Sequence, residues 1–422
     1  MRLAVLKPFL EHPEARRLAL IFAVVYFAQG MWNLPTQPIR FTLKEQLGLS
    51  AAQVAAFFSI TAIPWLVKPL YGLISDFIPL FGRRRKSYLL LTSALAAAAG
   101  FSLSLLGGYT YWTLAILFML MGLGLAFTDV MIDALMVESG RPLGLTGAFQ
   151  SVQWASIYTA AILVGVVGGY LTKNAPLQVP FALAALFPLI SFTIALWAVR
   201  EPPVAGGRPQ FRETGLAIKG GCTSRPLWIV AGFILFWTFS PSIGTALYFY
   251  QTDTLQFSQQ FIGNLTSLSS ASAIAGALLY GAFSKNFPFR WILNTAIAIG
   301  VVSTLSYLGY VGPYSAIVLD ALFGAIGMIA LLAFLDLAAK ACPKQAEGTF
   351  FALLMSVYNG GVQGSQIIGG WLYDQVGYTN LILISAAFTA LCWFLVPLLR
   401  VEELDARAKQ EPLVSPLPAA GS

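Results

Sequence analysis

The chain is a succession of apolar stretches of about 21 to 28 residues, each bounded by a short run of Gly, Pro, Asn or charge. They fall at 18–39, 51–75, 87–107, 110–137, 147–171, 178–199, 226–250, 258–283, 289–310, 313–339, 347–372 and 378–399. None alternates apolar and polar residues over ten positions as a lipid-facing strand would. Leu, Ala and Gly dominate, so these are spans in which the helix satisfies its own backbone groups inside a bilayer. The expected fold class is an all-α membrane protein with twelve transmembrane helices.

Composition agrees: 57% of residues are hydrophobic, 10% are charged and mean hydropathy is +0.74, whereas roughly a quarter of a soluble domain is charged. The formal charge of +7 reflects where the cations lie. Twenty-one of the 25 Lys and Arg fall on one side of the predicted spans, Arg40, Lys44 and Lys173 fall on the other, and Lys68 lies within a span. That asymmetry places both termini in the cytoplasm, with the cell inner or plasma membrane as the expected host. The positive charge therefore reads as topology and attraction to anionic lipid, and no nucleic-acid partner is expected. The leader before residue 18 has no uninterrupted apolar core or small-residue cleavage site and reads as no signal peptide.

Cys222, Cys342 and Cys392 have no disulfide or metal spacing. The single histidine, His12, precedes the first span, so proton-coupled chemistry would fall to carboxylates. The chain lacks a nucleotide-binding loop and a readable catalytic constellation, which argues against an enzyme and for no cofactor. The partners expected are a small-molecule solute, a coupling proton and the lipid bilayer, bound by a monomer.

The chain also repeats itself. YGLISD at 71–76 corresponds to YGAFSK at 280–285, and LGLSAAQV at 47–54 to LQFSQQFI at 255–262. GAF at 147 and GGYL at 168–171 correspond to GTF at 348 and GGWL at 369–372, and Asp133 pairs with Asp336. The order implies two six-helix halves of parallel topology: 1–199, then a cytoplasmic linker at 200–225, then 226–400, with a disordered cytoplasmic tail at 401–422. This resembles the major facilitator superfamily, in which solute sits between halves that rock about it. Apart from Gln178, Arg290 and Asn380 at their ends, spans three, six, nine and twelve carry no charge, and Asn294 is their exceptional amide, so the polar spans one, four, five, ten and eleven are expected to line the cavity.

Span one sets Gln29, Trp32 and Asn33 on one face near mid-membrane. Span five offers Gln150, Trp154 and Tyr158, and span eleven offers Tyr358, Asn359 and Gln363, with Gln366 beyond. Aromatic faces and amides together suit a flat heteroaromatic solute, although amides and glycines such as Gly165, Gly169, Gly360 and Gly364 also join transmembrane helices. In span seven, Pro241 follows Trp237 and precedes Gly244, and Tyr248 reads best as an interfacial anchor.

Span four ends TDVMIDALMVE. Counted from Tyr111, Asp129 lies roughly 27 Å along the helix and off the midplane. It is a candidate to accept the coupling proton, with Asp320 as the second. Asp133 and Glu138 read better as partners of the cations at 83–86 than as solute contacts. Together with Asp76, Arg83, Arg84 and Arg85 they form a candidate cytoplasmic gate. Lys68 could snorkel to the interface or meet an anionic solute, and snorkelling is the simpler reading.

PWLVKPLYGLISDFIPLFGRRRKSYL from Pro64 to Leu89, TDVMIDALMVE, and LQFSQQFIG followed by LLYG resemble the folate-biopterin transporter family of the major facilitator superfamily. The superfamily's loop sets Asp, Gly and cations at short spacing, whereas here FIPLF separates Asp76 from Gly82, as in the folate-biopterin version. The resemblance implies proton-coupled uptake of pterin-containing compounds, with Asp129, Asp133, Lys68 and the 83–86 cluster on matching motif positions. With no arginine at mid-membrane, it favours an uncharged pterin over folate. Muropeptide permeases and acetyl-coenzyme A transporters carry a similar loop and are the alternative, as is an assembly factor or sensor on the same fold.

Overall fold

The computed structural model describes residues 13–143, 145–201, 224–283, 289–341 and 347–399. Helix α1 runs Pro13–Met31, turns at Pro35 and resumes as Thr36–Phe41. Helix α2 comes in three pieces, Ala51–Thr61, Ile63–Leu66 and Lys68–Phe77. Ser50 and Gln53 cap the first piece reciprocally, and Pro64 and Pro69 open the second and third, where a missing N–H costs nothing.

The first half continues with α3 Lys86–Ser104, α4 Tyr111–Leu143, α5 Thr146–Asn174 and α6 Gln178–Trp197. In the second half, α7 is broken around Pro241 into Arg225–Thr238 and Gly244–Phe249, followed by α8 Gln259–Phe283, α9 Phe289–Ser306 and α10 Pro313–Ala341. Glu347–Leu391 is one helical run except at Gly377, whose φ of 77° divides it into α11 (347–376) and α12 (378–391). A residue without Cβ takes that conformation at little cost, and the two helices need no longer loop.

The result is an all-α membrane protein of twelve helices in two halves of six. Among the described residues, eight helical runs are long and apolar enough to cross a bilayer. The breaks in α2 and α7, the shortness of α9 and the fusion of α11 with α12 account for the difference. Several helices outrun their apolar sequence: α4 reaches Leu143, where the hydropathy edge predicts 137. Hydropathy marks where lipid ends, while the helix continues until its backbone pattern fails. The linker residues 202–223, Lys285 and the tail 401–422 lie outside the described residues.

Small residues bring the helices together. In the first half, a Cβ added at Gly100 would sit 2.8 Å from Ala185 Cβ, and one added at Gly124 would sit 2.5 Å from the Thr92 carbonyl, so α3 is pressed between α4 and α6. Between the halves, α5 meets α8 through Gly165, Gly169 and Gly263, and α2 meets α11 where Gly370 abuts Ala51. Gly165 and Gly169 are thus packing residues.

The halves close against each other at the end opposite the cation-rich loops. There Lys44 pairs with Asp253, Gln37 donates to the Gln259 carbonyl at 2.7 Å, and Asp374 accepts the Ala52 N–H at 3.0 Å. Tyr248 belongs to this closure and does not anchor at the lipid boundary: it is 3% exposed and its hydroxyl reaches Gln259 Oε1 at 3.2 Å. A tyrosine near a span's end looks the same in sequence whether it faces lipid or a neighbouring helix.

Candidate functional site

The third piece of α2 begins at Lys68, directly after the break at Val67, and this restart turns its side chain into the bundle. Lys68 Nζ forms an ion pair with Asp129 Oδ2 and lies 4.5 Å from the centre of the Trp65 ring. Gln29 Nε2 from α1 donates to the other carboxylate oxygen of Asp129 at 2.6 Å. The Asp129 side chain is 6% exposed and that of Lys68 23%. The snorkelling reading of Lys68 is therefore corrected. A cation inside helices is stabilised best by an opposite charge with further hydrogen bonds, and Asp129 supplies both. The depth expected for Asp129 changes as well, because α4 extends to Leu143 and leaves 14 residues beyond it, against 18 before.

Asp133, one turn further along α4, accepts hydrogen bonds from the Tyr26 hydroxyl and, at 3.0 Å, from Gln153 of α5. It does not join the 83–86 cluster, which corrects its assignment to the gate. The cluster's ion pairs run through Arg85, to Asp76 at 2.6 Å and to Glu138 at 2.7 Å, with Ser75 beside them. Burial works against the charge of Arg85, but the hydrogen bond and charge of Glu138, then those of Asp76, outweigh it and hold the guanidinium above its ordinary pKa.

Glu201, which sequence reasoning missed, accepts the backbone N–H groups of Arg84, Arg85 and Lys86 at 2.7–3.1 Å and so caps the start of α3. Arg83 and Arg84 form no ion pair among the described residues. All these partners belong to the first half, except Glu201 at the start of the linker. The network fastens α2, α3 and α4 to the end of α6, and among the described residues it does not reach across to the second half.

The remaining sequence candidates divide. Trp32 is buried in the apolar core, stacked on Phe118 with centroids 4.5 Å apart. Asn33 and Gln150 are exposed, and Asn33 donates back to the Gly30 carbonyl. Trp154 and Tyr158 lie 6.1 Å apart on α5, and the Tyr158 hydroxyl approaches Met328 Sδ of α10 at 3.9 Å across the halves. On α11, Asn359 donates to the Trp65 carbonyl at 3.3 Å, and the Gln363 carbonyl accepts from Ser59 at 3.1 Å.

Asp320 is remote from all of these. Tyr310 donates to it at 2.8 Å and Gln251 donates to Tyr310 at 2.6 Å, in the second half near the closed end. Gln29, Lys68 and Asp129 thus come together beneath Trp65, and Trp65 in turn carries Asn359 from the other half. Trp65 was legible as the aromatic three residues before Lys68, and Gln153 as the amide three after Gln150.

A cavity of about 640 Å³ opens inside the second half, lined by α7 to α12. Of the amide and aromatic candidates, Tyr358 lies on it. Spans nine and twelve, expected to be uninvolved, contribute Thr295, Ser303, Ser385 and Thr389. Hydroxyls carry polarity without charge, and this is why a search for charges and amides passes over these spans.

The BT1 family model matches residues 29–404. The folate-biopterin transporter of Synechocystis sp. (strain ATCC 27184 / PCC 6803 / Kazusa) is 32% identical over 84% of this chain and 74% of its own length. Folate transporter 2 of Plasmodium falciparum (isolate 3D7) is 27% identical over 93% and 90%. Among solved structures, the nucleoside transporter NupG superposes with a TM-score of 0.69 at 14% identity, covering 92% of this chain and 99% of its own. A D-xylose-proton symporter does so with 0.68 at 13%, covering 91% and 98%. The structural likeness shows the fold, and the family match extends over both halves. The chain is a secondary transporter that belongs to the BT1 family, the folate-biopterin transporters of the major facilitator fold.

Proposed function

We propose that this transporter carries a pterin- or folate-like solute by alternating access, driven by protons that Asp129 accepts. The observation that carries the reading is the Lys68–Asp129 pair, held by Gln29 and Trp65 within the first half and adjoining Asn359 of the second. While Asp129 is ionised, Lys68 is neutralised and offers little to an anion. Protonation of Asp129 frees Lys68 to bind an acidic group of the solute, so proton and solute bind together and leave together. The names of the relatives support the cargo. In this reading Asp320 lies off the coupling path, since its partners are Tyr310 and not a cation.

The protein acts as a monomer in the cell inner or plasma membrane, with the cation-rich end and both termini in the cytoplasm. The contacts at the opposite end then make this the state closed to the outside. Purified protein in liposomes should accumulate labelled pterin or folate under an inward proton gradient. Asp129→Asn should abolish accumulation and retain counterflow. Accumulation unchanged in that variant removes Asp129 from coupling, and no gradient-dependent uptake of any pterin or folate rejects the cargo.

A further inference from the structure

The internal repeat lets the surroundings of the second-half cavity be compared with the first half residue by residue. The register that pairs Asp133 with Asp336 pairs Gly124 of α4 with Gly327 of α10. At Gly124 an added Cβ would strike Thr92 and Ala96 of α3, whereas at Gly327 it would meet nothing within 4 Å. At this position the space is therefore present beside α10 and filled beside α4.

Its volume lies within the roughly 300–1,000 Å³ of small-molecule sites. Seven of the lining side chains are aromatic and none is a carboxylate or a cation. An anionic group placed there would lose its water with no partner, at a cost that favours its staying outside. A plain hydrocarbon chain would also fit poorly. Tyr358, Trp237 and Thr295 line the cavity, and their side-chain polar groups form no hydrogen bond among the described residues. What satisfies aromatic walls and unpaired donors and acceptors together is a flat, uncharged heteroaromatic ring with polar edges.

We propose that this cavity is the subsite for the uncharged heteroaromatic ring of the solute, separate from the Lys68 site that receives its acidic end. The inference rests on the cargo reading above and adds a location to it. The chain itself links the two places: Tyr358 lines the cavity, its neighbour Asn359 holds the Trp65 carbonyl, and the Trp65 ring covers Lys68. A solute with ring and carboxylate would span them, and a bare ring would occupy one.

The test uses the full chain and two probes, pterin for the ring and p-aminobenzoylglutamate for the acidic end, with binding read by quenching of tryptophan fluorescence. Gly327→Leu fills the cavity from open space, and Gly327→Ala is the control for folding. Gly327→Leu should weaken pterin about tenfold or more while p-aminobenzoylglutamate changes less than about twofold, and Tyr358→Phe should weaken pterin roughly 2- to 10-fold. Pterin binding unaltered in Gly327→Leu would overturn the subsite, as would a lipid or detergent molecule copurifying in wild type, absent from the variant, with pterin affinity unmoved. Ring binding that follows this pattern in a protein that fails to transport any pterin or folate would uphold the subsite and reject the cargo reading.

Discussion

Gly124 and Gly327 occupy equivalent places in the two halves and have opposite surroundings. Gly124 is pressed against the α3 backbone, while Gly327 borders a cavity. The halves differ in the same sense elsewhere. The first concentrates its charge in Lys68–Asp129 and in Arg85 with Asp76 and Glu138. The second lines an open space with hydroxyls and aromatics and keeps Asp320 at its far end. Duplication gave two copies of one scaffold. Close packing of α4 on α3 in one copy leaves no such space, whereas in the other α10 keeps close contact with α8 through Gly276 and Gly324 and leaves room for a neutral body beside Gly327.

The largest effect should come from unbalancing the charged half. Removing one member of a buried ion pair strands the other, so Lys68→Met or Asp129→Leu alone should destabilise the protein by about 3 to 5 kcal/mol. The double variant Lys68→Met/Asp129→Leu should regain most of that in thermal denaturation and still fail to accumulate solute. If the singles melt with the wild type, the pair does not hold the first half in the way described.

Next in size is the glycine comparison. Gly124→Ala must displace α3 backbone and should cost about 1 to 3 kcal/mol, whereas Gly327→Ala should be neutral or stabilise by up to about 1 kcal/mol through helix propensity. Equal melting temperatures for the two variants would break the comparison of packing.

The smallest effect belongs to the contact that joins the halves. Asp253 is half exposed, so its pair with Lys44 should contribute only about 0.5 kcal/mol to the closed state. Lys44→Ala should thus raise the labelling of a cysteine introduced at the closed end about twofold, and the exchanged pair Lys44→Asp/Asp253→Lys should restore protection. Labelling that ignores both changes would show that closure rests on the remaining contacts between the halves, those of Gln37 and Asp374 and the glycines of α5, α8 and α11.

Fold and site were legible to different degrees for physical reasons. A helix that must cross lipid declares itself by about twenty local apolar residues, and the duplication survives in short motifs such as GGYL and GGWL. Lys68 and Asp129 are 61 positions apart, and nothing local tells a snorkelling lysine from a paired one. The break that aims Lys68 inward depends on Val67 and Pro69 together. Gln29 stands out because amides inside membranes are scarce, while Trp32 of the same triplet misleads because an aromatic packs as well against Phe118 as against a solute. The cavity was unreadable, since empty space follows from the distance between α9 and α10 and no residue type encodes it.

The Lys68–Asp129 pair also bears on voltage. Moving one unbalanced charge through a membrane potential involves about 2.3 kcal/mol per 100 mV. The pair sums one positive and one negative charge, so under the proposed mechanism the carrier would reorient without solute at no electrical work. With a proton on Asp129 and a monoanion on Lys68, as proposed above, the site would again sum to zero. Uptake of a singly charged solute would then follow the pH difference and ignore the potential. An uncharged pterin carried with the same proton would move net positive charge, and membrane potential would separate the two cargoes.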